Sequence, residues 1–408
     1  MNTVIYQMQR VLIVVAMSAM VGYGEEPNSE DGNPSPKIEK TLVAHPGETL
    51  QVNSKYASQT IDSQAGNQVS VTVTRNVLEQ YKHDADRILG EHKVKISRHD
   101  HGITIYTDVD DSVLERWQSD YDSASPLRVH VKVLVPKQDY DVVARTAFGS
   151  QEIQNINGSV HASARKDITI NNVDGDLDVS SRYGGLTIRN VTGDGVLRAE
   201  ARKTVDIRHV KGPHVNARSN YGSLTLDDID GSVNATARKD VNISNVDGDL
   251  DVSSSYGGLT ISNVAGNDNS VHASARKDIA ISNIDGDLDV SSSYGGLTIR
   301  NVAGSVLRAE ARKMVDIKAV RRDIFDARSS YGGLVFDDVS GVAHARARKA
   351  ITVSNVGGDL SAFSSFGSVT IHHVGGSVRA EARGDVELKD VAKEASINSS
   401  FGKVRRVE

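Results

Sequence analysis

The sequence predicts an all-β fold: a right-handed parallel β-solenoid of about fourteen turns, here called coils, with an N-terminal β-rich cap bearing short helical insertions. A β-branched residue, mostly preceded by Asn, recurs every 17 to 20 residues from Ile156 to Val391, which is the length of one coil. The segment D-G-D-L-D-V-S-S-S-Y-G-G-L-T-I at 247–261 recurs almost unchanged at 285–299. Parallel crossovers are overwhelmingly right-handed, which sets the predicted hand.

Residues 1–24 are predicted to be a secretory signal peptide. Arg10 precedes an apolar run at 11–21 that is too short to span a bilayer core of roughly 30 Å. An uncleaved membrane anchor and a mistaken start codon are the alternatives. Residues 25–36 are acidic and rich in Pro, so they are predicted to be a flexible linker. The protein is therefore expected to be exported to the periplasm, the cell surface or the medium, without a membrane span in the mature chain.

Residues 37–150 are predicted to form the β-rich cap. Strict alternation of apolar and polar residues is clearest at 69–74 and 128–135, and Pro136 ends the second of these strands because Pro cannot donate to a ladder. Two insertions, 76–89 and 111–118, are predicted to be helical. The other predicted strands lie at 37–43, 49–52, 93–97, 102–107 and 140–147.

Residues 151–408 are predicted to form the solenoid array, in which two types of coil alternate without a skipped place. The aromatic coils carry an aromatic residue followed by Gly, at Phe148, Tyr183, Tyr221, Tyr256, Tyr294, Tyr331, Phe366 and Phe401. The arginine coils carry Ala-Arg, usually followed by Lys, at Arg165, Arg202, Arg238, Arg276, Arg312, Arg348 and Arg383.

Alignment of the two coil types predicts two short strands per coil with one shared inward face. Leu250 aligns with Val271, Val252 with Ala273 and Ser254 with Ala275, and past the bend Leu259 aligns with Ile279, Ile261 with Ile281 and Val264 with Ile284. The inward residues shrink toward the Tyr-Gly-Gly bend, so each coil is expected to narrow there. A second bend carries Asn, which tolerates left-handed backbone and can form a side-chain ladder.

The alternation of Arg and aromatic residues is the sharpest candidate site. Aromatic rings two coils apart are expected about 9.6 Å apart, which leaves room for an intervening Arg to make cation–π contacts. As a ligand-binding strip, planar rings suit sugar faces and Arg suits carboxylates or phosphates. The alternative is that the strip only seals the narrow edge of the coil. The candidate contacts are Tyr183, Tyr221, Tyr256, Tyr294, Tyr331, Arg165, Arg202, Arg238, Arg276, Arg312 and Arg348.

Other polar clusters favour structural roles, and neither a metal site nor a cofactor is predicted. D-G-D-x-D triplets such as that beginning at Asp247 offer carboxylates, but no Glu closes a calcium loop, so turn-forming Asp is favoured. His99 and His101 could share a metal, although surface polarity at a hairpin is favoured. The absence of Cys excludes thiol chemistry, and the net charge of -6 argues against nucleic-acid binding.

Three motifs carry a family resemblance: S-S-Y-G-G-L-T-I and its variants, the G-D-L-D-V bends, and V-L-V-P at 133–136. On these motifs, roughly residues 40–408 resemble the bacterial "putative adhesin" β-solenoid family, also known as the GIN-type head domain, a domain of unknown function. The resemblance implies surface adhesion and supplies no catalytic residues. This chain departs from the common pattern in its strict Arg/aromatic alternation and its helical insertions.

The predicted function is that of a non-catalytic, exported cell-envelope or surface protein. Its repeated polar face is expected to bind an unidentified surface protein or glycan, and not nucleic acid. No G-x-S-x-G or H-E-x-x-H motif is present, and the outward residues repeat from coil to coil, whereas catalysis needs a singular constellation. One alternative is a scaffold that assembles end to end through the C-terminal edge at 401–408. A polysaccharide-active β-helix enzyme is the less favoured alternative.

Overall fold

The computed structural model of the protein describes residues 34–121, 125–212 and 214–407. Its chain is mostly β and winds into a solenoid of about 15 coils, which confirms the predicted fold class. The predicted signal peptide and most of the predicted linker lie outside the described residues. In the part of the chain that is described, no helix is both long and apolar enough to cross a membrane.

The N-terminal part contains seven strands and three short helical segments. In order, they are β1 (Lys37–Val43), β2 (Thr49–Ser54), β3 (Ala57–Gln64), β4 (Gln68–Val77), a 3-10 helix (Glu79–Asp84), α1 (Ala85–Glu91), β5 (His92–His99), β6 (Gly102–Val109), α2 (Asp111–Tyr121) and β7 (Leu127–Pro136). The predicted helix at 76–89 therefore begins later, because Asn76 and Val77 continue β4 and pair with β7.

The array that follows is built from strands alone. They are β8 (Asp141–Thr146), β9 (Gln151–Asn157), β10 (Val160–Ala164), β11 (Ile168–Asp174), β12 (Leu177–Ser181), β13 (Leu186–Thr192), β14 (Val196–Ala201), β15 (Val205–Lys211), β16 (His214–Ser219), β17 (Leu224–Asp230), β18 (Val233–Ala237), β19 (Val241–Asp247), β20 (Leu250–Ser254), β21 (Leu259–Ala275), β22 (Ile279–Ser292), β23 (Leu297–Val302), β24 (Val306–Ala311), β25 (Val315–Val320), β26 (Ile324–Ser329), β27 (Leu334–Val339), β28 (Ala343–Ala347), β29 (Ile351–Val356), β30 (Leu360–Ser364), β31 (Val369–Val374), β32 (Val378–Ala382), β33 (Val386–Val391), β34 (Ala395–Ser399) and β35 (Val404–Val407).

Each coil stacks its two strands in parallel on the corresponding strands of the coils before and after it. The predicted register is confirmed, since Leu250 pairs with Val271, Val252 with Ala273, and Leu259 with Ile279. The paired aliphatic side chains point between the two ladders and are almost fully buried. A continuous apolar core therefore runs along the rod, at roughly 4.8 Å per coil.

A left-handed residue bends each coil from β8–β9 to β32–β33, just before its β-branched core residue. These positive-φ residues are Asn155, Asn172, Asn190, His209, Asp228, Asn245, Asn263, Asn283, Asn301, Ala319, Asp338, Asn355, His373 and Asp390, with φ between 52 and 61°. The predicted Asn ladder is confirmed where Asn repeats: the side-chain amide of Asn263 donates to Asn245 at 2.9 Å, and that of Asn283 donates to Asn263 at 2.8 Å.

The opposite, narrow bend is held by a hydroxyl side chain in the aromatic coils of the array, which is Thr146 in the Phe148 coil and Ser in the others. Ser254 Oγ donates to the carbonyl of Lys239 in the preceding coil at 2.7 Å and accepts the N–H of Gly257 at 2.9 Å. A Cβ on Gly257 would lie 2.3 Å from the Lys239 carbonyl carbon, so only Gly fits there. The arginine coils have Ala, such as Ala275, at the serine position, and this side chain makes no hydrogen bond across the bend.

The N-terminal region contains two parallel coils of its own, in an order that differs from the chain order. Strands β2 and β3 lie between the β6–β7 coil and the β8–β9 coil, and pair in parallel with both. Antiparallel β5 covers β6, antiparallel β4 covers β7, and β1 pairs with β4. Strand edges at this end are therefore protected, which limits pairing with other chains.

Candidate functional site

The candidate contacts come together in one line along the narrow edge of the rod. Each aromatic residue follows the first strand of its coil and stacks on the Arg of the coil below. The backbone N–H of Tyr256, for example, donates to the carbonyl of Arg238 at 2.9 Å. We call this line, from Phe148 to Phe401 with the seven intervening arginines, the Arg/aromatic column.

Every arginine in the column lies between two aromatic rings. The Cζ atom of Arg238 is 4.9 Å from the Tyr221 ring centroid and 5.0 Å from that of Tyr256. Arg276 is 5.0 Å from both Tyr256 and Tyr294. The same sandwich recurs at Arg165, Arg202, Arg312, Arg348 and Arg383. The predicted cation–π alternation is confirmed for all the candidate contacts.

This packing covers both faces of every ring from Phe148 to Phe366 and leaves the ring edges open. Tyr256 is 50% exposed, yet a guanidinium lies over each face of its ring. Stacking of a sugar ring on these faces, one part of the binding hypothesis, is therefore excluded by the geometry. What the aromatic coils present to solvent is the ring edge with its hydroxyl group.

The guanidinium groups are covered on their faces but keep their in-plane N–H donors. Among the described residues, none accepts a hydrogen bond from the guanidinium groups of the seven column arginines or forms an ion pair with them. Exposed lysines beside them, Lys166, Lys203, Lys239, Lys277, Lys313 and Lys349, also lack an ion pair within the described part of the chain. A planar fork of free donors beside an ammonium group suits carboxylate, sulfate or phosphate.

The column tolerates its own repeated charge for physical reasons. Successive arginines are about 9.6 Å apart, which is near the Debye length of roughly 8 Å at physiological salt. The negative ring faces between them offset part of the remaining repulsion, and each exposed cation–π contact contributes about 0.5–1 kcal/mol. Structural sealing and ligand binding are therefore compatible roles for the same side chains.

The column extends further toward the N-terminus than the sequence predicted, because it includes Tyr56. Tyr56 stacks on Phe148 with ring centroids 4.8 Å apart and an interplanar angle of 5°. The signal is present in S-K-Y-A-S-Q-T-I at 54–61, which matches S-S-Y-G-G-L-T-I in its Ser, Tyr, Thr and Ile positions. The sequence comparison missed this coil because it lacks the Gly pair and has Gln59 where most coils have an aliphatic residue; Gln151 of the adjacent coil is the other exception.

The acidic triplets and the histidines have separate, local roles. Asp249 Oδ1 accepts the backbone N–H of Ser270 at 2.8 Å, and Asp287 does the same for Ser305 at 2.7 Å, in line with turn-forming Asp. His99 Nε2 is 3.1 Å from the Ser97 hydroxyl. Within the described residues, no group of three or more His, Asp or Glu side chains is placed to hold a metal ion.

Comparison with known proteins finds one matching family. Residues 48–325 match the family model described as Toastrack DUF4097. Among proteins with curated functions, none matches the chain significantly.

Three solved structures are similar to the chain at low identity. A "putative adhesin" from Bacteroides fragilis is 11% identical, with 92% of this chain and 99% of that chain covered and a TM-score of 0.20. A "putative lipid binding protein" from Parabacteroides distasonis is 11% identical over 93% and 99%, with a TM-score of 0.16. A "putative adhesin" from the same species is 12% identical over 92% and 98%, with a TM-score of 0.17. Such low TM-scores support no conclusion about fold or function.

Proposed function

Because this chain belongs to the Toastrack DUF4097 family, a family with no defined activity, we propose its function from its own residues: it is a non-catalytic, exported surface protein that binds an anionic partner or glycan along the Arg/aromatic column. The signal peptide predicted at 1–24 supports export. The repetition of the outward residues supports binding by many equivalent contacts, because catalysis needs a singular constellation.

One observation carries this proposal: the guanidinium groups of the seven column arginines have no hydrogen-bond or ion-pair partner among the described residues. Sealing of the narrow edge needs the flat faces of the guanidinium groups but makes no use of their in-plane N–H groups. Several arginines of the strand faces, in contrast, are paired: Arg308 forms a 2.7 Å ion pair with Asp289, and Arg189 forms a 3.0 Å ion pair with Asp206.

Affinity electrophoresis of the full chain through gels containing anionic or neutral polysaccharide tests the proposal. We expect retardation by anionic polymers, little by neutral ones, and a loss of retardation as salt rises, because exposed charges are screened. A quadruple variant with Arg202, Arg238, Arg276 and Arg312 changed to Gln should lose most of the retardation. The matched control removes the same number of charges from the strand faces, at Arg189, Arg208, Arg308 and Arg328. Equal mobility of the two variants in anionic gels would contradict the proposal.

A further inference from the structure

We propose that the ligand of the column is a linear acidic polysaccharide that lies parallel to the rod axis and carries one acidic group on every second sugar. This inference rests on the proposed function and specifies the class of anion. It follows from the spacing of the charges, from their density and from what lies between them.

The spacing of the column sets the period of the ligand. Strands of adjacent coils are about 4.8 Å apart, so an arginine recurs about every 9.6 Å. In an extended chain of equatorially linked sugars, each ring advances by nearly the strand spacing of about 4.8 Å. One sugar therefore matches one coil, and an acid on alternate sugars meets an arginine in every arginine coil.

The residues between the arginines fit a neutral sugar. The aromatic coils place a tyrosine hydroxyl at the same edge, and no hydrogen bond to those hydroxyls forms among the described residues. A hydroxyl can both donate to and accept from sugar hydroxyl and amide groups. The hydroxyl-bearing rings are the five central ones, Tyr183, Tyr221, Tyr256, Tyr294 and Tyr331, whereas Phe148, Phe366 and Phe401 lie toward the ends.

Charge density argues against denser polyanions. A nucleic-acid strand carries a charge about every 3.4 Å, so most of its phosphates would lie between the arginines without a cation. A polyuronate with an acid on each sugar would leave every second carboxylate against a tyrosine edge. The lysine beside six of the seven column arginines adds a second cation in the same coil and does not shorten the period.

The length of the column limits the useful length of the ligand. From Arg165 to Arg383 the column crosses twelve coils, or about 58 Å. Affinity should rise with each added disaccharide, because later contacts form at a high effective concentration. The rise should stop at about seven disaccharides, when each of the seven arginines has met one acidic sugar.

Fluorescence anisotropy with the full chain and labelled hyaluronan oligosaccharides of increasing length tests this inference. In hyaluronan, glucuronic acid alternates with a neutral amino sugar, so the charge lies on every second sugar. Each added disaccharide should lower the Kd about two- to fivefold, the factor of an exposed ion pair, up to the length limit. At matched length, oligogalacturonate and single-stranded oligodeoxythymidylate should bind more weakly than hyaluronan.

The outcomes separate this inference from the proposed function. A Kd that does not change with hyaluronan length, or tighter binding of either denser polyanion, would overturn the alternate-sugar ligand and leave anion binding intact. Binding only to vesicles of anionic lipid would overturn it in the same way. If neither these polyanions nor the vesicles bind, both the inference and the proposed function fail.

Two variants locate the ligand on the column. The double change Arg238→Gln and Arg276→Gln interrupts it in the middle, so long and short oligosaccharides should bind nearly alike, whereas Arg308→Gln on the strand face should keep the length dependence. The second variant, Lys239→Gln with Lys277→Gln, alters exposed side chains and so leaves the fold unaffected. It should raise the Kd of the longest oligosaccharide at least fourfold. An unchanged Kd in both double variants would overturn the inference.

Discussion

At the scale of single residues, the left-handed bend of each coil, here called the corner, shows how the choice of side chain affects stability. Asn serves best because its backbone tolerates positive φ and its amide extends the ladder along the rod. The sequence pattern was sufficient to predict this corner, because Asn precedes most of the β-branched core residues. The role of Ser254 was not predictable from the sequence: its small size was evident, but its bond to the Lys239 carbonyl depends on how the backbones of two coils approach.

Ala319 is the corner residue that lacks both advantages. It has φ of 57° without Gly or Asn chemistry, and it interrupts the ladder between Asn301 and Asp338. Because left-handed backbone costs an ordinary residue about 1–2 kcal/mol, Ala319→Asn should raise the free energy of unfolding by about 1 kcal/mol. Urea denaturation followed by circular dichroism measures this change. Ala280→Asn, at an exposed strand position, is the control and should give no gain; an equal response of both variants would refute the explanation.

At the scale of elements, the strands of the array were predictable in register, whereas part of the N-terminal region was not. Two alternating coil types of the same length pattern gave an internal alignment that fixed which residue pairs with which. Strand β3 has no such support, since its inward residues include the buried Gln59 and its neighbours are strands distant in sequence. The N-terminal coil is also separated from its partners by insertions, so its place in the stack depends on long-range packing.

The N-terminal region should be less stable in acid than in neutral solution. His92 is buried, and burial together with the nearby Arg75 guanidinium lowers its pKa from an ordinary value of 6.5 to about 4, against the opposing effect of Asp108. Between about pH 6.5 and pH 4, His92 therefore binds a proton in the unfolded chain but stays neutral in the folded chain. The contribution of neutral His92 to the free energy of unfolding is therefore complete above about pH 6.5. It falls as the pH drops toward 4, by up to about 3 kcal/mol.

Trp117, the single Trp of the chain, is buried in this region, so its fluorescence reports the loss. The urea midpoint of the fluorescence transition should fall between pH 6.5 and pH 4 in the wild type and in the control His99→Gln, which removes an imidazole from the other end of β5. The fall should be much smaller in His92→Gln. The same fall in His92→Gln would rule out His92 as its cause.

At the scale of the whole molecule, the alternation of arginine coils and aromatic coils makes a pair of coils the repeating unit of the rod. Removal of residues 247–264 deletes one aromatic coil and brings the Arg238 coil against the Arg276 coil, so two cations lose the ring between them. Removal of 265–284 deletes one arginine coil and brings Tyr256 against Tyr294, a contact that resembles the 4.8 Å stack of Tyr56 on Phe148.

Both deletions shorten the rod by one coil, so each is a control for the other. Removal of the aromatic coil should lower the Tm more, because it adds repulsion between guanidinium groups and removes the Gly pair that admits the neighbouring backbone. Circular dichroism during heating measures the difference. If the variant without residues 265–284 were the less stable one, the two-coil unit would not be set by the Arg/aromatic column.

The place of β2 and β3 between two later coils has a consequence for synthesis on the ribosome. The coil of β2 and β3 leaves the ribosome first, before either of its neighbouring coils has been synthesised. The last of its partner strands, β9, ends only at Asn157. The open edges of this first coil must wait for a distant part of the nascent chain, and contacts of such high sequence separation form slowly. Every later coil, in contrast, can be added directly to a finished edge as it emerges. The waiting time is therefore set by the first third of the chain, and extending the array by further pairs of coils would leave it unchanged.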